Sequence, residues 1–431
     1  MKRSSCHKLN PGCNGLLATD WRRALTLLIG ISGLALWCAA APTALAESPF
    51  ARPNCDFDGD KATDMAVWRP STGTWFVLTS KSNFRSNFRI GDLGGSDTIP
   101  VPSCDFDGDG LTDVVTWTKW NGRWTVLSSS SGFTDDSLSR GWGQAGDIPL
   151  GGVHHSRTDP KKTDMAIYRP SNATWYVRIA DTNYRSSVSW NLPHVPPVFT
   201  DYVPLANTDV NGDGATDIVQ WQTETGSWYV RRLYESKTDL VDWGAPGDIP
   251  IENIDIAGTG GANLVVWRPS DGTWRALLGF NEDSPSKVIQ WGQPGDIPLP
   301  NSDFDGDGRA DIAVWRPAEA VSDSSGETKI VSKFYILLST KDFDRNQPLV
   351  IQWGEPGDIP LPHSDFDGDK HADPAVWRPS DSSWHVLTSM SKYTQAIERV
   401  WGQPGDFPIN DFGGDSTRRY MAYSLLHQFY P

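Results

Sequence analysis

"DFDGDGRADIAVWRP", from Asp303 to Pro317, places four carboxylates in nine residues and then turns apolar and aromatic at once. Like charges at that density repel one another, and a fold holds them together only when something cationic sits among them. The apolar half, "DIAVWRP", alternates at period two, as a strand does. The stretch therefore reads as a charged loop feeding directly into a strand, and it has copies.

The copies align on the residue that ends the "AVW" segment: Trp68, Trp117, Tyr168, Trp221, Trp267, Trp315 and Trp377. Successive spacings are 49, 51, 53, 46, 48 and 62 residues, the last enlarged by an insertion, Ala318 to Lys333. One unit, Pro298 to Pro360, contains a short apolar segment "IPLPNS", the acidic loop, "DIAVWRP" and a second β-prone run "SKFYILL". A fourth run ends in "VIQWG", and a Pro/Gly turn closes the unit. Four short strands repeated at this period predict an all-β propeller, in which small sheets are arranged radially. Seven clear copies predict seven blades. A weaker copy at Tyr423 leaves eight, the last truncated, as the alternative. In the seven-bladed reading, the C-terminal "DFPIN" supplies a strand to the first blade and closes the ring. The insertion falls between the second and third strands of its unit and is expected to protrude as a hairpin.

The loop pattern is D-x-D/N-G-D-x-x-x-D. It occurs as Asp56, Asp58, Asp60 and Asp64, and as Asp105, Asp107, Asp109 and Asp113. It recurs as Asp209, Asn211, Asp213 and Asp217, as Asp303, Asp305, Asp307 and Asp311, and as Asp365, Asp367, Asp369 and Asp373. Oxygen donors at loop positions 1, 3 and 5, with a glycine between, wrap a hard cation. Calcium takes six to eight such oxygens in flexible geometry. A position-7 carbonyl and the position-9 Asp complete the expected shell. Position 12 is apolar (Val67, Val314, Val376) and lies in a strand, where an EF-hand needs Glu and a flanking helix. Five Ca2+ sites are expected. The third copy ("HHSRTDPKKTD") keeps only Asp164, the fifth ("DIAGTGGAN") keeps Asp255 and ends in Asn263, and the terminal copy has Arg419 at position 9. No calcium is expected in these three. His154 and His155 lack an evident third ligand, which favours a surface pair over a transition-metal site.

The unit resembles the FG-GAP or VCBS repeat, the blade of integrin α-chain propellers and of many secreted bacterial propellers. The resemblance rests on "DFDGDG" and its neighbours and on "WGAPGDIP" (Trp243 to Pro250), where Trp replaces the family's Phe, and it spans the chain from residue 47 onward. It implies calcium-stabilised blades with the loops on one face. It does not imply a single function.

Seventeen of the 21 tryptophans are periodic. Trp68, Trp117, Trp221, Trp267, Trp315 and Trp377 form one set, and Trp75, Trp124, Trp175, Trp228, Trp274 and Trp384 a second. Both lie within strands and are expected to pack between blades. Trp142, Trp243, Trp291, Trp353 and Trp401 form a third set at strand ends beside Gly, Gln and Asp, where packing and sugar stacking are both open. The arginines of "WRP" (Arg69, Arg169, Arg268, Arg316, Arg378) are read as structural, either paired with "GD" aspartates of a neighbouring unit or facing solvent, because a catalytic residue need not recur in every copy.

Residues 1–46 read as an export signal. Arg22 and Arg23 precede "ALTLLIGISGLALWCAA", and Ala44-Leu45-Ala46 offers a cleavage site before Glu47. The general and twin-arginine routes both remain open. No other stretch is apolar enough to span a bilayer. The mature chain, 47–431, is expected to be one propeller domain, secreted, periplasmic or at the cell surface; its oligomeric state is not legible. Cys55 and Cys104 occupy matching repeat positions. A bridge between them would close a loop of about 50 residues and contribute roughly 4 kcal/mol. The alternative is two small buried residues where other copies carry Ser302 and Ser364.

A formal charge of −15 argues against nucleic-acid binding. No nucleophile elbow, zinc-protease motif or phosphate loop is present. The acidic pairs that would suit a glycosidase are the repeated loop ligands. The expected role is a binding or adhesion module for a glycan or a cell-surface protein. A polysaccharide lyase or hydrolase and a structural surface protein are the alternatives.

Overall fold

The computed structural model describes residues 55–409 apart from 103, 156–161, 192–201, 236 and 323. The expected signal segment and the terminal copy with Arg419 lie outside the described residues. The strands form seven antiparallel sheets of four strands each, arranged in a ring: a seven-bladed β-propeller. The eight-bladed alternative is set aside, because the last described strand, Phe407–Ile409, adds to the first blade instead of opening a new one. It pairs antiparallel with Met65–Arg69, Ala66 opposite Ile409 and Trp68 opposite Phe407. The first blade is thus built from both ends of the chain.

Each blade runs outward through short strand A, strands B and C, and an outer strand D. In blade 5 these are Ile249–Ile251, Leu264–Arg268, Thr273–Leu277 and Ser286–Gln290. Strand B is buried along nearly its whole length because each blade is covered on both faces by its neighbours, whereas strand D alternates buried and exposed at the rim. Alternation along strand B sends Val265 and Trp267 to one neighbour, and Leu264 and Val266 to the other. Trp68, Trp117, Trp221, Trp267, Trp315 and Trp377, together with all six of the second set, are at most 2% exposed. Both sets are inter-blade core, as their strand positions predict.

The A–B and C–D loops emerge on one face, and the B–C turns and D–A connections on the other. In blade 6 the insertion lengthens strands B and C to Ile312–Ser322 and Thr328–Leu337, with a register shift between Arg316 and Glu319. The described part of this hairpin is largely exposed from Ala318 to Ile330, on the face opposite the acidic loops.

Cys55 and Cys104 are buried thiols, and the bridge between them is not formed. The Cys104 thiol meets the carbonyl of Pro102 at 3.1 Å. At the same repeat position the Ser302 and Ser364 hydroxyls meet Pro300 and Pro362 carbonyls, each at 3.2 Å. Cys104 replaces serine in a tight local turn, whereas the Cys55 thiol meets the carbonyl of Ile409, on the strand that closes the first blade, at 3.5 Å.

Candidate metal centres

The A–B loop closes on its own side chains. In blade 6, Asp303 at position 1 accepts the amides of Gly306 at 2.6 Å and Gly308 at 2.8 Å. Asp311 at position 9 accepts Phe304 N–H on one oxygen and Ser339 N–H, from the C–D loop, on the other, both at 2.7 Å. The position-4 glycine is required twice over. Gly306 has φ +71°, and a Cβ there would meet the His371 ring of the next loop.

This folding carries carboxylate oxygens of positions 1, 3 and 9 to within 4.8 Å of one another in four loops: Asp56/Asp58/Asp64, Asp105/Asp107/Asp113, Asp303/Asp305/Asp311 and Asp365/Asp367/Asp373. Position 5 is turned aside: Asp60, Asp109, Asp307, Asp369 and Asp213 each accept the amide two residues on. In blade 4, Asn211 occupies position 3 and donates to Asp213 at 3.1 Å, so Asp209, Asp213 and Asp217 do not form such a three-carboxylate group.

The carboxylates stand where charge is hard to keep. Burial, with neighbouring carboxylates adding to it against the pull of the amide donors, raises Asp64, Asp113 and Asp217 to about 7, and Asp311 and Asp373 to about 8. Asp303 and Asp365 rise to about 6 by the same causes. In blade 6, the Asp305 Oδ1 and Ser339 Oγ atoms are buried with no hydrogen-bond partner. A donor set made only of oxygen, crowded with negative charge and holding bare buried oxygens, fits a hard divalent cation such as calcium.

The C–D loop was not legible as part of this site. Ser80, Ser129 and Ser389 each donate a hydroxyl into the cluster: Ser80 reaches Asp60 and Asp64, Ser129 reaches Asp109 and Asp113, and Ser389 reaches Asp369. A serine recurring 16 residues after position 9 was the available signal.

The loops also clasp one another. The position-8 amide of each donates to the position-1 carbonyl of the loop before it, at 2.6–3.0 Å: Thr63 to Asp365, Thr112 to Asp56, Thr163 to Asp105, Thr216 to His154, Ala262 to Asp209, Ala310 to Asp255 and Ala372 to Asp303. The chain of bonds runs unbroken around all seven blades. It also places His154 at position 1 of the third loop, which is two residues longer than the rest. His154 Nδ1 lies 3.0 Å from the Lys162 carbonyl, and the His155 ring packs beside Trp190 and Tyr234. Among the described residues, neither histidine joins a group of convergent ligands. In the fifth loop, Asp255 still accepts Gly258 and Gly260 amides, and Asn263 Oδ1 takes the amides of Ile256 and Ala257.

The opposite face carries a second repeated arrangement. Arg69, Arg169, Arg268, Arg316 and Arg378 form two-pronged ion pairs with Asp406, Asp147, Asp248, Asp296 and Asp358. Each Asp belongs to the preceding sequence unit but to the same blade, just ahead of strand A. Arg69, Arg169 and Arg316 also lie over Phe76, Tyr176 and Tyr335 at 4.1–4.4 Å. The third tryptophan set is half-buried beside them. The indoles of Trp142, Trp243, Trp291, Trp353 and Trp401 donate to strand-C carbonyls of the next blade (Tyr176, Arg275, Tyr335, His385 and Phe76) at 3.0–3.3 Å. Their edges are therefore tied to blade packing, and the rest of each ring stays partly open at a blade junction.

A model of the FG-GAP-like repeat matches residues 56–116, from the first acidic loop through strand B of blade 2. No curated protein matches the sequence. Among solved structures, an Agrocybe aegerita lectin recognising non-reducing terminal N-acetylglucosamine aligns at 13% identity, over 81% of this chain and 90% of that one, with a TM-score of 0.48. A Bacteroides uniformis protein described as a candidate 6-phosphogluconolactonase aligns at 9% identity over 80% and 97%, TM-score 0.35. AztD from Citrobacter koseri aligns at 12% over 80% and 88%, TM-score 0.29.

Proposed function

We propose that this FG-GAP repeat propeller is an exported binding module whose blades are stabilised by calcium and whose partner is a glycan. One observation carries the calcium half: three carboxylates converge in each of four loops, and at position 9 burial and the neighbouring carboxylates oppose the charge. A bound cation restores the charged form and relieves the repulsion. Asp56, Asp58 and Asp64, with their counterparts in blades 2, 6 and 7, hold it. Blade 4 offers Asp209, Asn211, Asp213 and Asp217 as a more weakly charged fifth site.

The binding half is supported by the opposite face. Five blade junctions repeat a half-open indole beside a strand-C side chain and a fixed arginine, such as Trp291, Tyr335 and Arg316. Aromatic surface beside oriented polar groups suits sugar rings, whose C–H faces stack while their hydroxyls bond. Copies around the ring give avidity. Repetition also favours binding over catalysis, because a catalytic group has no need to recur in every blade. A protein partner is the second reading, favoured by the exposed blade 6 hairpin.

The test is a glycan array probed with the purified protein in calcium and in chelator. Binding to a defined sugar, lost on Trp291→Ala and Trp401→Ala, supports the reading. Silence across the array, with pull-down of a surface protein that deleting residues 318–331 abolishes, would replace it with the second.

A further inference from the structure

The acidic loops are not spread evenly around the ring. Those of blades 6, 7, 1 and 2 are consecutive and straddle the seam where the two chain ends meet. The loop of blade 4 stands alone, flanked by the carboxylate-poor loops of blades 3 and 5. Every neighbouring pair is joined by a position-8 amide on a position-1 carbonyl. Those two positions are the sensitive ones. Position 1 is itself a ligand residue, and position 8 lies between the position-7 carbonyl and the position-9 carboxylate. At the seam Asp365 N–H also donates to Thr63 Oγ1 at 3.1 Å, a second bond that recurs between Asp105 and Thr163 and between His154 and Thr216.

An ion that orders one loop therefore orders half of a bond belonging to the next, and the second ion meets a smaller ordering cost. The loops of blades 3 and 5 pass on no such change, because their donors are built in. His154 Nδ1 faces the Lys162 carbonyl, and the Arg309 guanidinium donates to the Ile256 carbonyl at 2.8 and 3.2 Å. Neither contact uses a carboxylate of a calcium loop.

We propose that the loops of blades 6, 7, 1 and 2 load calcium as one cooperative set that locks the ring seam, and that blade 4 loads independently. The inference rests on the calcium reading above. Its test is calcium titration calorimetry of the purified protein with hydrogen exchange on peptides covering residues 56–64, 209–217 and 365–373. The expected result is a cooperative class of four sites and a separate single site, with 56–64 and 365–373 gaining protection together. Asp367→Asn, in the middle of the set, should weaken the remaining sites of that set on the order of fivefold or more. Asp213→Asn should leave all four unchanged. Asp373→Asn, which removes a converging carboxylate of the same loop, serves as the second variant if Asp367→Asn does not fold. Five independent sites, with the two variants equally local, would overturn the coupling and leave calcium binding standing. Absence of both binding heat and protection change would overturn both.

Discussion

The acidic loop of blade 6 and the loop of blade 5 have the same backbone and opposite chemistry. Both hold position 1 as Asp, accepting amides three and five residues ahead, and both tie position 9 to the position-2 amide. Yet blade 5 carries Ala257, Thr259 and Asn263 where blade 6 carries Asp305, Asp307 and Asp311. Blade 5 also receives the Arg309 guanidinium of the next loop, which lies against Gly258 and bonds the Ile256 carbonyl. The loop's shape thus comes from amide-to-side-chain bonds that need no ion. The extra carboxylates are a charge burden that loosens the acidic loop at neutral pH until a cation relieves it.

The widest separation between the two loop types should come from chelation. Removing calcium is expected to lower the melting temperature by roughly 10 °C or more, since each site at a hundredfold excess over Kd contributes about 2.7 kcal/mol. Differential scanning calorimetry reads this, and an unchanged transition would erase the distinction between the loops.

A finer contrast separates a ligand's charge from its bonds. Asp373→Ala leaves the Phe366 and Ser389 amides without their acceptor, and should cost about 2–4 kcal/mol in chelator and more in calcium. Asp373→Asn makes blade 7 resemble blade 5 at Asn263. It should lose the calcium-dependent gain while changing calcium-free stability by only about 1 kcal/mol. Urea titrations in calcium and in chelator distinguish the two. A calcium-dependent gain kept by Asp373→Asn would show that charge at position 9 is not what the ion requires.

The pH response should differ in sign between the two states. In calcium-free protein the position-9 carboxyls at about 7 to 8 hold protons that the unfolded chain releases near 4. The folded state therefore binds more protons, and stability should fall as pH rises from about 4 to 8. With calcium bound, the carboxylates are charged at neutral pH, and acidification should instead weaken the ion and destabilise. Melting curves at pH 5 and 8 in both conditions check the crossing. The smallest effect expected is from Arg309→Ala, about 1–2 kcal/mol and indifferent to chelator, because it strips a carbonyl of its donor and leaves the blade 6 loop backbone in place.

Much of this molecule was legible locally. Side-chain alternation in "DIAVW", the glycine between ligand positions and the fixed interval from loop to tryptophan are short-range features. They depend on residues within one blade, and the structure keeps them. The recurrence of "WRP" and of a Gly-Asp pair in successive units suggested the Arg–Asp pairing, and the structure forms it in five blades. The serines of the C–D loop were present as a pattern but lacked meaning until Ser80 and Ser129 were seen to reach the carboxylates.

Other features depended on residues dozens to hundreds of positions apart. Blade number turned on whether Phe407–Ile409 would pair with Met65–Arg69. The fate of Cys55 and Cys104 turned on which neighbours each thiol faces. Arg309 looked like part of its own loop, yet its guanidinium serves the loop before it. A sequence determines repeat, strand and ligand spacing because these follow from backbone geometry over a few residues. Ring closure, the amide chain linking seven loops and the side chains that cross between blades were decided only when the blades packed, because each needs a partner from another repeat.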